Sequence, residues 1–201
     1  MKNLLQAIQT SKPVAFGGFS ELYVINNKAV KLMEDTCYTD VLQETYRQRI
    51  AADAGLAPQV YTVEREGEKV VVEMDLIDNT RWFHPDAEEG IAPTLLGELP
   101  IDQMTIGLQL YMNLLKANIV HADFHSGNWF MDEDGNALAI DFGLGSELDT
   151  CSLTHAKRAI QFLFPALKAL GFESEAEDLH FAFDGDVEEI REALAEVASA
   201  F

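Results

Sequence analysis

The chain has 201 residues, is 48% hydrophobic and carries a formal net charge of −20. That length and apolar content suit one large domain or two small lobes sharing an interface, and they exclude global disorder. The charge argues against nucleic acid and anionic membranes as partners and favours basic ones.

No run approaches the ~20 consecutive apolar residues of a membrane-spanning helix. The opening "MKNLLQAIQTSKP" has one Lys and an interrupted apolar run. It lacks the continuous apolar region of a signal peptide, so a cytoplasmic location is expected. Cys37 and Cys151 are the only cysteines. They are expected as free thiols and are too few for a Cys-rich zinc site. Much of the acid lies in "ESEAED" and "DVEEIREALAE", which read as solvated helix faces.

In chain order, "VAFGGFS" is a Gly-containing turn entering the strand-forming "ELYVI". Asn26-Asn27 predicts a tight turn, with "KAVKLM" returning as the next strand. "DVLQETYRQRIAADAG" predicts a helix striped by Leu42, Tyr46 and Ile50 and stopped at Gly55. "QVYTVE" and "KVVVEM" read as a hairpin around Glu66-Gly67. Helices dominate from about Asn79. "DQMTIGLQLYMNLLKAN" stripes Met104, Leu108, Tyr111 and Leu115. "NWFMDEDGNALAI" predicts a small hairpin around Asp134-Gly135. "SLTHAKRAIQFLF" stripes Ala156, Ile160 and Leu163, with Pro165 as a kink or restart. The last helix stripes Val187, Ile190, Leu194, Val197 and Phe201. The expectation is one α+β domain spanning residues 1–201. Its strand-rich N-lobe covers about 1–78 and its helical C-lobe about 79–201, with a ligand cleft between them.

The chemistry concentrates in "VHADFHSGNWF" and in "AIDFG" beyond the hairpin. A zinc reading would use His121 and His125 four apart on a helix, but Gly127 and the strand that follows make this stretch a loop. A purely structural polar network does not explain why Asp, Asn and Asp recur with "DFG" attached. Magnesium with phosphate does. Mg²⁺ takes one or two carboxylates and fills its shell with water and phosphate oxygens. Asn128 and Asp141 supply hard oxygens, leaving Asp123 to orient an attacking hydroxyl and accept its proton.

These spacings resemble H-R-D-x-x-x-x-N followed by D-F-G, and the chain is similar to a minimal, atypical member of the protein-kinase-like superfamily over about residues 13–170. The truncated helical C-lobe resembles that of bacterial effector or phage-encoded kinases, and the effector likeness would imply delivery into a host cell. The resemblance implies ATP and Mg²⁺ as cofactors and a hydroxyl acceptor, a protein with Ser/Thr acceptors first. It carries over a phosphate loop at Ala15, Gly17, Gly18 and Ser20, with two of the three family glycines replaced. Lys31 in "AVK" would hold the α- and β-phosphates, with Glu44 as its ion-pair partner. Leu22 and Ala29 would roof the adenine and Phe130 floor it. "EMDLI", which includes Asp75 and Leu76, would form the hinge whose backbone reads the adenine edge, with Met74 near the back of the pocket. Asn128 and Asp141 would hold the metal, and Asp123 would be the base.

The sequence also departs from the family. His125 replaces the usual Lys and implies either a γ-phosphate contact or loop packing. Ala122 replaces the Arg that meets an activation-loop phosphate, and A-P-E is absent. Few residues separate Gly143 from the next helix. His121 is expected to brace the loop, and His84, His155 and His180 to be surface or packing residues. A small-molecule kinase of the aminoglycoside/choline-kinase-like class and a non-catalytic kinase-like binding module remain as alternatives.

Overall fold

Alternating apolar residues and two tight turns build the N-terminal part. In the computed structural model, which describes residues 4–17, 20–34, 37–85 and 93–201, a short helix α1 (Leu4–Gln9) precedes β1 (Ala15–Phe16), β2 (Ser20–Ile25) and β3 (Lys28–Met33). Helix α2 (Tyr38–Asp53) follows, then β4 (Val60–Glu66) and β5 (Lys69–Asp75). The five strands form an antiparallel sheet in the order β1-β2-β3-β5-β4. Asn26 and Asn27 turn β2 into β3 with φ of 52° and 60°, the left-handed pair that matches strand twist.

Register fixes which side chains share a face. Leu22 lies opposite Lys31, which lies opposite Val72, while Ala29 pairs with Met74. Paired residues point the same way, so Leu22, Ala29, Lys31 and Met74 occupy one face of the sheet. Apolar residues of that face, Met33, Val70 and Val72, cluster with Val41 of α2. On the other face, Tyr23, Ile25, Val30, Leu32 and Val71 are covered by Leu4 and Ile8 of α1.

Helix α2 does not bury the stripe its apolar residues predict. Leu42 is 40% and Tyr46 56% exposed, while Val41, Thr45, Gln48 and Ala51 face inward; of the expected three, only Ile50 packs partly against the core. The polar members of the inward face are satisfied. Thr45 Oγ1 donates to the Val41 carbonyl at 2.8 Å, and Gln48 Nε2 donates to the Pro58 carbonyl at 2.9 Å. Hydrogen-bonded polar groups can be buried without penalty, so the helix rotates to the face that also presents Glu44 to the sheet.

The C-terminal part is helical: α3 (Ile101–Lys116), α4 (Leu153–Ala169), α5 (Glu173–Ala182) and α6 (Val187–Ala200). Between α3 and α4 lie β6 (Ile119–Val120), β7 (Trp129–Met131), β8 (Ala137–Ala139) and β9 (Ser146–Glu147), pairing β6 with β9 and β7 with β8. Every residue of the α3 stripe is buried, and so are Ala156, Ile160 and Leu163 of α4 and Ile190, Leu194 and Val197 of α6. Pro165 does not restart α4, which runs through it to Ala169. A proline there removes only one backbone donor, and a 3-10 turn at Leu96–Glu98 packs against the site. Glu177, Asp178, Glu188, Glu189, Glu192 and Glu196 line the solvent side of α5 and α6. Cys37 is exposed, Cys151 is buried, and both are free thiols. Among the described residues no helix is long and apolar enough to cross a membrane.

Candidate functional site

Lys31 extends from the α2-facing side of β3, and its Nζ meets Glu44 Oε1 of α2 at 2.8 Å. Both side chains are largely buried, at 19% and 14% exposure, so this pair is shielded from the screening that weakens surface ion pairs. A methyl group built on Gly143 would lie 3.3 Å from Asp141 Oδ1 and 3.6 Å from Glu44 Oε2. The two carboxylates therefore flank Gly143, and the Lys31–Glu44 pair reaches the D-F-G segment.

Asp141 adopts φ of 58°, in the left-handed region that a non-glycine residue rarely occupies. Its neighbours hold it there. The Ile140 N–H donates to the Asn128 carbonyl at 2.9 Å, and the Ile140 carbonyl faces His121 Nε2 at 2.9 Å. Phe142 is fully buried, its ring edge-on to His121 with centroids 5.2 Å apart. Asn128 and Asp141 are thus tied together through one backbone hydrogen bond.

The loop bearing Asp123 follows α3, a left-handed Asn118 (φ 63°) and β6. It turns through a 3-10 segment at Ser126–Asn128 rather than a helix. Asn128 Nδ2 donates to the Asp123 carbonyl at 2.9 Å and to Asp123 Oδ2 at 3.2 Å. The Gly127 N–H donates to His125 Nδ1 at 3.1 Å, which leaves the proton of a neutral ring on Nε2. That nitrogen lies 3.7 Å from Asp123 Oδ2. Its 3.2 Å approach to Asn128 Nδ2 is a contact between two donors, not a bond. The His125 ring thus packs against the loop's own Asp and Asn. Residues 94–95 hold the loop from outside. Ser126 exchanges two 2.9 Å hydrogen bonds with Thr94, and Leu95 bridges His125.

Around the residues expected to hold adenine the geometry is mixed. Phe130 alternates with the buried Trp129 and Met131 and lies against His84, the rings tilted by 32° with centroids 3.8 Å apart, while His84 Nδ1 faces the Trp129 carbonyl at 2.9 Å. The hairpin bearing Phe130 is closed by Asp132. Hydrogen bonds from the Asn136 side chain, then from Arg81, hold its carboxyl at about 2. Asp75 donates its N–H to the Gln59 carbonyl, and its carboxylate binds Lys28 and Tyr61. Its N–H is therefore already used within the sheet edge and is not free for a nucleotide. Ala15 lies opposite Leu22, and the Gly17 N–H donates to the Ser20 carbonyl at 2.8 Å. A methyl group on Gly17 would press to 2.7 Å from Ser20 Oγ, a contact that a change of the Ser20 rotamer relieves. Gly18 lies outside the described residues.

Among the described residues no cluster of three or more His, Cys, Asp or Glu side chains could enclose a metal ion. Magnesium needs no such cage. Asn128 commits its amide nitrogen to Asp123, leaving Oδ1 without a protein donor among the described residues. The Asp141 carboxylate is exposed and likewise accepts no hydrogen bond from them. Two hard oxygens, that of Asp141 across Gly143 from Glu44, are donors of the type a divalent cation carried in with phosphates takes.

Sequence reasoning missed the braces. Tyr111 Oη donates to the His121 carbonyl at 3.1 Å and Arg158 Nη1 to the Ala122 carbonyl at 3.2 Å. Arg47 Nε lies 3.7 Å from Glu147 Oε1, too long for a hydrogen bond. No local pattern announces any of these, since each partner lies on another element.

No curated protein matches the chain. Residues 100–166 match the family model described as ABC1 atypical kinase-like domain, one third of the chain, from α3 through the Asp123 loop and Asp141 into α4. With the five-stranded sheet ahead of that segment and helices around and after it, the chain has the α+β layout of a kinase-like domain.

Proposed function

We propose that the protein is a Mg-ATP-dependent phosphotransferase, acting first as an atypical Ser/Thr protein kinase. The observation that carries this reading is the formed Lys31–Glu44 pair, with Asp141 on the other side of Gly143. In this reading Lys31 binds the α- and β-phosphates, and Glu44 keeps its ammonium aimed. Asn128 Oδ1 and the Asp141 carboxylate would hold Mg²⁺, which would neutralise charge on the transferring phosphoryl group. Asp123, its backbone and side chain both engaged by Asn128, orients the acceptor hydroxyl and takes its proton. Catalysis is then positioning plus electrostatics, as phosphoryl transfer requires. The −20 charge favours a basic acceptor protein.

The test is transfer from labelled ATP with Asp123→Ala and Asp141→Ala. Each is expected to lower turnover by about a hundredfold or more. Wild-type transfer in both would end the assignment.

A small-molecule acceptor is the second reading. The chain passes from Gly143 through β9 and one 3-10 turn and enters α4 at Leu153, leaving little chain to dock a peptide. Labelling of a cell lysate, set against a panel of small alcohols, separates the two.

A further inference from the structure

Three consecutive carbonyls of the Asp123 loop each accept a hydrogen bond from the side chain of a different element. Tyr111 of α3 holds that of His121, Arg158 of α4 that of Ala122, and Asn128 that of Asp123 itself. The middle contact is the unexpected one. Lys and Arg number 14 against 34 Asp and Glu, and Lys28, Lys31, Arg47 and Arg81 each face a carboxylate. Among the described residues Arg158 pairs with no carboxylate and instead donates to a backbone carbonyl 36 positions earlier. Ala122 has no polar side chain with which to anchor the loop.

We propose that Arg158 is a positioning residue for phosphoryl transfer, acting through the Ala122 carbonyl on Asp123. The peptide between Ala122 and Asp123 is planar, so fixing its oxygen fixes the plane from which Asp123 departs. Asn128 fixes the next carbonyl. Together the two bonds leave the Asp123 backbone little freedom to turn its carboxylate away from an acceptor. A charged donor suits this task, since its positive charge strengthens attraction to a carbonyl oxygen even at the 3.2 Å of this contact. The inference rests on the phosphotransferase reading, and its test separates the two.

In Arg158→Met, kcat is expected to fall roughly ten- to a hundredfold, as misplacement of a catalytic group does, with KM for ATP and the melting temperature unchanged. Arg158→Lys, which retains a charged donor, recovers part of the loss. Lys168→Met removes the same charge from the last turn of the same helix and keeps wild-type kcat. Amide hydrogen exchange at Asp123 and Phe124 quickens in Arg158→Met alone. Unchanged kcat in Arg158→Met, an equal loss in Lys168→Met, or a loss that follows melting temperature would overturn the proposal. If the wild-type protein transfers no phosphate, the phosphotransferase reading fails by itself. Exchange then decides whether Arg158 holds the loop, and an unaltered rate rejects it.

Discussion

His121 donates from Nε2 to the Ile140 carbonyl, with its ring edge-on to both Phe124 and Phe142. Its Nδ1 is buried without a partner among the described residues. Burial holds the imidazole below its ordinary pKa, although the Ile140 carbonyl and the charges of Asp141 and Asp123 pull the other way. A proton added at Nδ1 would bury a charge and an unsatisfied N–H among aromatic rings. The unfolded chain takes that proton near pH ~6.5, while the folded chain resists it. The stability contributed by neutral His121 is therefore complete above that pH and is lost as pH falls below it. Urea unfolding between pH 7 and 5 is expected to show a slope of up to about 1.4 kcal/mol per pH unit from this residue. His121→Gln should flatten the slope by about one proton, and an unchanged slope would mean that another group carries it. Asp123, Asn128 and Asp141 hang from this ring's surroundings, so acid that protonates His121 loosens the site as well as the fold.

Helix α2 shows that an apolar stripe does not decide a buried face by itself. Thr45 and Gln48 face inward because their hydrogen bonds are met, and Leu42 and Tyr46 face outward. Tyr46→Ser should consequently change unfolding free energy by no more than about 0.5 kcal/mol, as surface substitutions do. Helix α4 shows the opposite sensitivity at its contact with the 3-10 turn Leu96–Glu98. A methyl group on Gly97 would come within 2.5 Å of Pro165 Cβ and 3.1 Å of the Ala166 nitrogen, and neither can swing aside. Gly97→Ala is expected to cost about 1–3 kcal/mol by overpacking. Denaturant titration of the two variants checks both values, and a reversed order would place α2 and the turn wrongly. The same turn leads into α3 and is preceded by Thr94 and Leu95, which hold the Asp123 loop, so strain at Gly97 is also expected to reach the site.

Across the whole molecule, charge acts on every element at once. With 34 acidic against 14 basic residues, compaction works against self-repulsion. Raising salt from about 0.01 to 0.15 M shortens the screening length from roughly 30 to 8 Å. The melting temperature is expected to rise over that range, and a fall would show that ion pairs such as Lys31–Glu44 outweigh the repulsion. The sequence alone determined the two-part α+β layout, the turns at Asn26-Asn27 and Asp134-Gly135, and the candidacy of Asp123, Asn128 and Asp141. Those features depend on periodicity and on short spacings, which are properties of the chain itself. Only the tertiary structure decided which face α2 buries and that Asp75 has already used its N–H, and it formed the Lys31–Glu44 pair that the kinase resemblance implies. It alone seated His84 on Phe130 and brought Tyr111 and Arg158 to the carbonyls beside Asp123. Each of these joins elements far apart in the chain. Their alignment is set by how helices and sheet pack, a condition that no local pattern records.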